Sequence, residues 1–467
     1  MTQRTNASAS DEALRRRALR KVTWRLVPLV LLMYTAAFLD RVNMGTAALT
    51  MNADLGLTGA AFGFATGIFS AGYIALQIPS NLALHRFGPR RWLALLMVCW
   101  GAIATCTGFI QGEGSLIIAR ILLGAAESGF LPGMLLYLTF WFAPSRRGMI
   151  SVLASLPLYG IIGTPLSAII LQHTHNLWGL AGWRWMFILE GIPSILIGLM
   201  VLAWLTDSPA QARWLTDEER AAVQEAVGTV PTTSERTRIK LADLTERLRD
   251  ARLLTFAVAV GFLWVGFAAL TAFLPLIIAG FADRFNTHLS LVQTGLLASV
   301  VYVPAVAVAL LWARSSDRRG ERVVHSAAGA LLSALGTVIA INSDSLPVTL
   351  LGTIMLAAGI YASLNLMWQL PIGHLVSGVA MAVGIAFTTT LGNLASFASP
   401  YIVGWLRDTS GNYDSGLYFV AAALVACAVL TLLANRVPPP RSAAAPATDL
   451  VEATPTPSTL SHSAEGS

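Results

Sequence analysis

Charge is what this chain has least of. Of its 467 residues, 12% are charged, about half of the roughly 25% carried by soluble globular domains. So thin a supply cannot cover the surface of a water-soluble protein of this length, and a soluble fold is excluded. Cysteine is scarce as well. Cys99, Cys106 and Cys427 all lie within apolar runs, and none has metal-ligand spacing, so they read as packing residues. No nucleophile–base set and no cluster of metal ligands appears, which argues against a membrane enzyme. No metal and no cofactor are expected.

What fills the chain instead is apolar sequence, 55% of residues, gathered into runs of the ~20 residues that cross a bilayer as a helix. Twelve spans can be marked: 26–48, 61–84, 92–110, 115–140, 149–171 and 185–206, then 253–280, 290–313, 323–342, 347–369, 378–403 and 414–435. The expected organisation is a basic tail over 1–25, a six-helix bundle over 26–206, a polar connector over 207–252, a second six-helix bundle over 253–435, and a Pro-, Ala-, Ser- and Thr-rich disordered tail over 436–467.

The basic residues sort by loop. Seven of them fall in the first 25 residues. Others follow the second span (Arg86, Arg90, Arg91), the fourth (Arg146, Arg147) and the eighth (Arg314, Arg318, Arg319, Arg322), whereas the loops after spans one, three and nine carry none. Positive loops stay on the cytoplasmic side, so both termini are expected inside. The basic tail reads as an orientation signal and not as a nucleic-acid site.

The two halves echo each other. "HRFGPRR" follows the second span and "DRRGER" follows the eighth, each a short basic turn around a glycine. A 6+6 chain with matching loops fits two related bundles around a central site.

Few ionisable residues lie deep in a span, and a charge at that depth is costly and tends to be functional. Asp40 and Arg41 are adjacent in the first span, so they point about 100° apart. Arg120 and Glu127 lie seven residues apart in the fourth, on one helix face with Gly124 between them, where a missing side chain leaves room for a ligand or a neighbouring helix. A structural ion pair between Arg120 and Glu127 is the plain alternative to a functional role. The functional reading is that Asp40 faces the fourth helix and Arg41 faces the cavity. Arg stays charged and grips a carboxylate with two donors, while a buried acid beside it can gain and lose a proton. The deep segments of the second half hold no Asp, Glu, Lys or Arg; they offer Asn365, Trp368 and Asn393, with Trp264, Phe267 and Tyr302. His173, His175 and Arg184 read as residues of the outer edge, and Glu190, six residues beyond Arg184, as a structural partner in the bundle.

In order along the chain, "FLDRVNMGTAALTMNADLGL", "ARILLGAAESGFLPGMLLYLTFWF", "AGWRWMFILEGIPS", "DSPAQARWLT" and "GNLASFASPYIVGWLRDTSGNYDSGL" resemble the major facilitator superfamily. Within it they resemble the anion:cation symporters, with 4-hydroxyphenylacetate-, tartrate- and phthalate-type carriers nearest. The resemblance implies an all-α membrane protein of twelve transmembrane helices in two pseudo-symmetric bundles. It implies a monomeric carrier in a bacterial inner membrane, moving a small organic anion with protons, an aromatic acid foremost. By that resemblance Arg41, Tyr73, Trp368 and Asn393 would meet the substrate. Asp40 and Glu127, with Arg120, would handle the proton. The loops of His85, Arg86 and Gly88 and of Asp317, Arg318 and Gly320 would gate.

Two positions depart from the family pattern. The acid expected three residues before the loop glycine is present as Asp317 in the second half but replaced by His85 in the first, so the latch of the first half should be the weaker. "GTP", Gly163 to Pro165, stands where relatives place glycine directly before proline, so the fifth helix should pack differently. A membrane sensor signalling through the connector or tail is the rival reading from another class; the plain tail and the absence of an appended catalytic domain speak against it.

Overall fold

The first apolar run does not begin as a helix at residue 26. In the computed structural model, which describes residues 2–142, 157, 159–227, 251–370 and 379–436, helix α1 runs unbroken from Thr2 to Asp54. The basic tail is therefore the first turns of the first membrane helix. It is held down by α8 (Asp217–Val227) of the connector. Ala18 and Val22 are fully buried, and Glu219 takes a hydrogen bond from Lys21 Nζ with Arg17 Nε at 3.7 Å. The Lys21 ammonium holds the Glu219 carboxyl below the usual carboxylate range.

The remaining helices of the first half are α2 (Gly59–Phe87), α3 (Pro89–Thr107), α4 (Glu113–Glu127), α5 (Phe130–Trp141), α6 (Thr164–His173) and α7 (Gly182–Trp204). The second half comprises α9 (Ala251–Arg284), α10 (Leu291–Arg319), α11 (Val323–Asn342), α12 (Leu346–Met367), α13 (Val379–Ser410) and α14 (Asp414–Arg436). Among the described residues nine helical stretches are long and apolar enough to cross a membrane. The start of the fifth expected span (149–156), the loop of Arg146 and Arg147, connector residues 228–250, residues 371–378 and the tail from 437 lie outside the described residues.

Two interruptions in the first half have local causes. The fourth span breaks between α4 and α5, directly after Glu127. Pro132, in the first turn of α5, has no N–H for the Ser128 carbonyl and its ring crowds that carbonyl, so the helical ladder is interrupted at Ser128 and Gly129 and resumes at Phe130. Ser128 Oγ turns back to the Ala125 carbonyl instead. The fifth span carries a π-helical turn, Tyr159–Gly163, immediately before Thr164 and Pro165. Such a turn frees carbonyls from the helical ladder, and the Ile161 carbonyl accepts from Ser299 Oγ of α10 at 2.8 Å. The unusual "GTP" thus coincides with a contact between the two halves.

Backbone-to-backbone packing sets the positions of the helices. A Cβ on Gly124 of α4 would lie 2.0 Å from the Phe69 carbonyl oxygen, and one on Gly72 of α2 would lie 2.1 Å from that of Ile121. These two helices can cross only because small residues meet at the crossing. The space that Gly124 leaves is therefore taken by a helix and not by a ligand. The same device joins the halves. Gly59, Gly63 and Gly67, four residues apart, lie on α13, where a Cβ on Gly63 would come 2.0 Å from the Pro400 carbonyl oxygen. Asp408 completes the contact by accepting from the backbone N–H of Gly59 (2.8 Å) and Ala60 (2.7 Å), so an acid of one half caps a helix of the other. Gln172 accepts from Val292 N at 3.0 Å, and the Tyr159 and Tyr361 hydroxyls meet at 2.7 Å. Apart from the tyrosine pair, near mid-span, these contacts sit toward the end remote from the arginine-rich loops.

Candidate functional site

The α2–α4 crossing delivers the side chains of the expected site to one place. Phe69 and Tyr73 on α2 face Arg120 and Glu127 on α4, and α1 brings Asp40 and Arg41 against both. Asp40, Arg120 and Glu127 are buried. Arg41 Nη2 lies 3.8 Å from Glu127 Oε2 and keeps 26% of its side chain exposed. Its guanidinium stands over three rings: Phe38 at 5.2 Å, Phe69 at 5.4 Å and Tyr73 at 5.9 Å. Arg120 lies over Phe69 at 4.9 Å, so one phenyl ring is shared by two guanidinium groups. Such faces hold a cation without neutralising it.

The arrangement differs from expectation in which residue faces which. Arg120 and Glu127 make no salt bridge with each other; Glu127 pairs with Arg41, and Arg120 Nε is buried without a partner. Arg41, expected to face only the cavity, also reaches the fourth span. Asp40 has Glu127 and Arg120 as charged neighbours, as expected, but also Glu190. Its hydrogen bond comes from Asn43 Nδ2 at 3.3 Å, and the same Nδ2 reaches Glu190 Oε2 at 3.1 Å. Glu190 Oε1 accepts from Ser167 Oγ of α6 at 2.6 Å. Arg184 is not its partner; that guanidinium donates to the carbonyls of Gly108 and Ile110 and lies 4.0 Å from Asp54. Asn43, Glu190 and Ser167 thus join a network that the sequence reading confined to Asp40, Glu127 and Arg120. The signal for Asn43 was present: three residues beyond Asp40 is the same helix face. Glu190 lies in another span, and no spacing rule links it to Asp40.

The second half supplies polar and aromatic groups. Trp368 closes the end of α12, half buried, and Asn393 sits half buried on α13 beside Gly392, which packs against the Trp264 indole. Among the described residues no hydrogen bond, ion pair or ring contact joins Trp368 or Asn393 to the charged cluster. Tyr302, Tyr361 and Phe267 meet edge to face in a ring cluster that reaches Tyr159 of the first half, which in turn stacks on Phe38.

The loops carry their own closures. Gly88 adopts φ 83°, and Asp207 accepts from Arg90 N at 2.7 Å, capping α3. The first loop therefore gains an acid from the start of the connector, while His85 and Arg86 are exposed. In the second loop Gly320 is left-handed (φ 62°) and Asp317 pairs with Arg322 at 3.5 Å within the same loop.

Two bundles of long apolar helices, the first holding a buried cluster of opposite charges, define a multi-pass membrane protein. The family model of the Major Facilitator Superfamily matches residues 30–286 and 278–463. A protein of Agrobacterium vitis named for tartrate transport is 41% identical over 432 residues, 91% of this chain and 93% of its own. The inner membrane transport protein RhmT of Escherichia coli K12 is 32% identical over 421 residues, 88% of this chain and 94% of its own. Among solved structures, a bacterial homologue of the human lysosomal transporter Spinster, inward-facing and occupied, superposes with a TM-score of 0.71 at 15% identity, over 88% of this chain and 96% of that one. The chain belongs to the Major Facilitator Superfamily; it is a membrane transporter of small molecules and not an enzyme.

Proposed function

We propose that this carrier moves a small organic carboxylate together with a proton across a bacterial inner membrane. The observation that carries the reading is Arg41: a partly exposed guanidinium ringed by Phe38, Phe69 and Tyr73, with the buried carboxyl of Glu127 at 3.8 Å. A substrate carboxylate arriving at Arg41 competes with Glu127 for one cation. Protonating Glu127 releases Arg41 to the substrate, and losing the proton draws Arg41 back. Substrate and proton then bind together, which is symport. Asp40 and Arg120 set the charge around that exchange.

The ring wall favours an aromatic acid, and the relative named for tartrate makes a hydroxy-dicarboxylate the second candidate. Trp368 and Asn393 would close over the part of the substrate that carries no charge. By the positive-inside rule we read the end with the arginine-rich loops, and both termini with it, as cytoplasmic. The end closed by the contacts between the halves is then periplasmic, and the two bundles would rock about the site in a monomeric carrier.

Purified protein in proteoliposomes tests the reading. Labelled hydroxyphenylacetate or tartrate should accumulate when the outside is made acidic, and the accepted substrate should raise the melting temperature with occupancy. Uptake indifferent to the pH gradient for every carboxylate that binds would overturn it.

A further inference from the structure

Helix α1 carries more polar residues toward its closed end than the charged cluster needs. Asp40, Asn43, Thr46, Thr50 and Asp54 follow one another at spacings of three or four residues, so they share one helix face. That face lies on α7 at both ends: Asn43 meets Glu190, and Asp54 Oδ2 accepts from Trp183 Nε1 at 2.8 Å, two turns away along α7. Between those contacts the Oγ1 atoms of Thr46 and Thr50 are buried without a hydrogen-bond partner, as are Asn43 Oδ1 and Asp40 Oδ2. Thr46 is fully buried. Four orphaned oxygens in one file call for bridging water, because buried polar atoms without protein partners are satisfied by it.

Glu190 stands at the inner end of this file and differs from Glu127 in one respect. Glu127 has Arg41; Glu190 is buried with only Ser167 and Asn43 on its oxygens and no salt bridge among the described residues. An ionised carboxylate in that position would be a buried charge without a counter-ion.

We infer that the α1–α7 seam is a proton path, in which Glu190 passes protons between the Asp54 end of the molecule and Asp40. The step is a proton transfer. An O–H bond of the Glu190 acid breaks and an O–H bond forms on Asp40, so the negative charge moves from Asp40 to Glu190, and Glu190 is reprotonated through the Thr46 and Thr50 hydroxyls and their waters. Asn43 suits the junction because its amide has a donor end for a carboxylate and an acceptor end for an acid. Asp40, Glu127, Arg41 and Arg120 are the charged groups at the inner end, and Asp54 and Arg184 those at the outer. The inference rests on the proton-coupled reading above.

The test uses the full chain in proteoliposomes and compares the wild type with Glu190→Gln, Glu190→Asp, Thr46→Val and Thr50→Val. Uptake driven by an acidic exterior is measured beside counterflow at equal pH, which needs no net proton movement. Glu190→Gln and Thr46→Val should slow driven uptake by about tenfold or more while counterflow continues, Thr50→Val should slow it less, and Glu190→Asp should recover part of the loss. Infrared difference spectra between acid and neutral pH should lose one carboxylic-acid band in Glu190→Gln that Thr46→Val keeps. If wild-type uptake follows the pH gradient and both Glu190→Gln and Thr46→Val keep wild-type driven rates, the path is overturned and the coupling reading stands. If wild-type uptake ignores the gradient, both fall. Should Glu190→Gln also lose counterflow through a damaged fold, Thr46→Val decides, because its hydroxyl has no protein partner to lose.

Discussion

The two halves share an architecture and divide the chemistry. In the first, Asp40, Arg120, Glu127 and Glu190 are buried within the membrane helices; in the second, the one buried acid or base among the described residues is His325, near the start of α11. The second half fills the corresponding depth with Tyr302, Tyr361, Phe267 and Trp264. It also closes its helix crossings with glycine and serine, as where a Cβ on Gly359 would meet the Gly329 carbonyl oxygen at 2.2 Å. On the proposed symport reading, the bundle that changes its protonation needs polar partners that can rearrange, and the bundle that presents a shaped, uncharged wall needs packing. The comparison teaches that the pseudo-symmetry is one of helices and not of side chains.

The comparison breaks most sharply at Glu127. Glu127→Gln keeps the shape of the protonated acid and cannot release a proton, so uptake driven by a pH gradient should fall by about a hundredfold or more while labelled-for-unlabelled exchange persists. Intact driven uptake would remove Glu127 from the coupling role. Arg41→Lys should come next, lowering uptake by roughly tenfold or more, because an ammonium loses the planar fork and the ring contacts of the guanidinium; the rate with the accepted substrate at saturating and limiting concentrations reads it.

Asp408→Ala probes the seam between the halves. Loss of a cap costs about 1 kcal/mol, so the end that Asp408 closes should open roughly fivefold more often, seen as faster labelling of cysteines introduced on that side. Asn393→Ala and Trp368→Phe should sharpen the division of labour, shifting the choice among carboxylates by about two- to fivefold and leaving the pH dependence of uptake where it was. The smallest effect belongs outside the membrane. The depressed acidity of Glu219 beside Lys21 contributes stability above the ordinary carboxylate range and loses it as pH falls through the lowered value. Glu219→Gln should therefore lower the melting temperature by about 1–3 °C at neutral pH, a gap that closes on strong acidification.

Much of this was legible in the sequence, unevenly. The ninth expected span, 323–342, coincides with α11, and most others agree with their helices to within a few residues at each end, because apolar length is a direct physical requirement of the bilayer. The nearness of Asp40 to Glu127 was legible from their similar depth, whereas the Arg41–Glu127 pair was not, because adjacent residues point apart and Arg41 was expected to face the cavity. The break after Glu127 was not foreseen although Pro132 marks it, since membrane helices tolerate proline often enough to blunt that signal. The helical tail was missed because its polar sequence pairs with a distant acid, Glu219, that no local pattern reveals. Glu190 was read as a structural residue for the same reason: its partners come from α1 and α6, and a lone acid in an apolar run does not say which neighbour it meets.

The central claim is that substrate and proton cross together through the Arg41–Glu127 pair. Its most direct measurement records labelled carboxylate and internal pH at once, in proteoliposomes given only an inward substrate gradient. The account predicts that substrate uptake acidifies the interior in wild-type vesicles, and that Glu127→Gln abolishes the acidification while exchange continues. Substrate uptake with an unchanged internal pH in the wild type would contradict it.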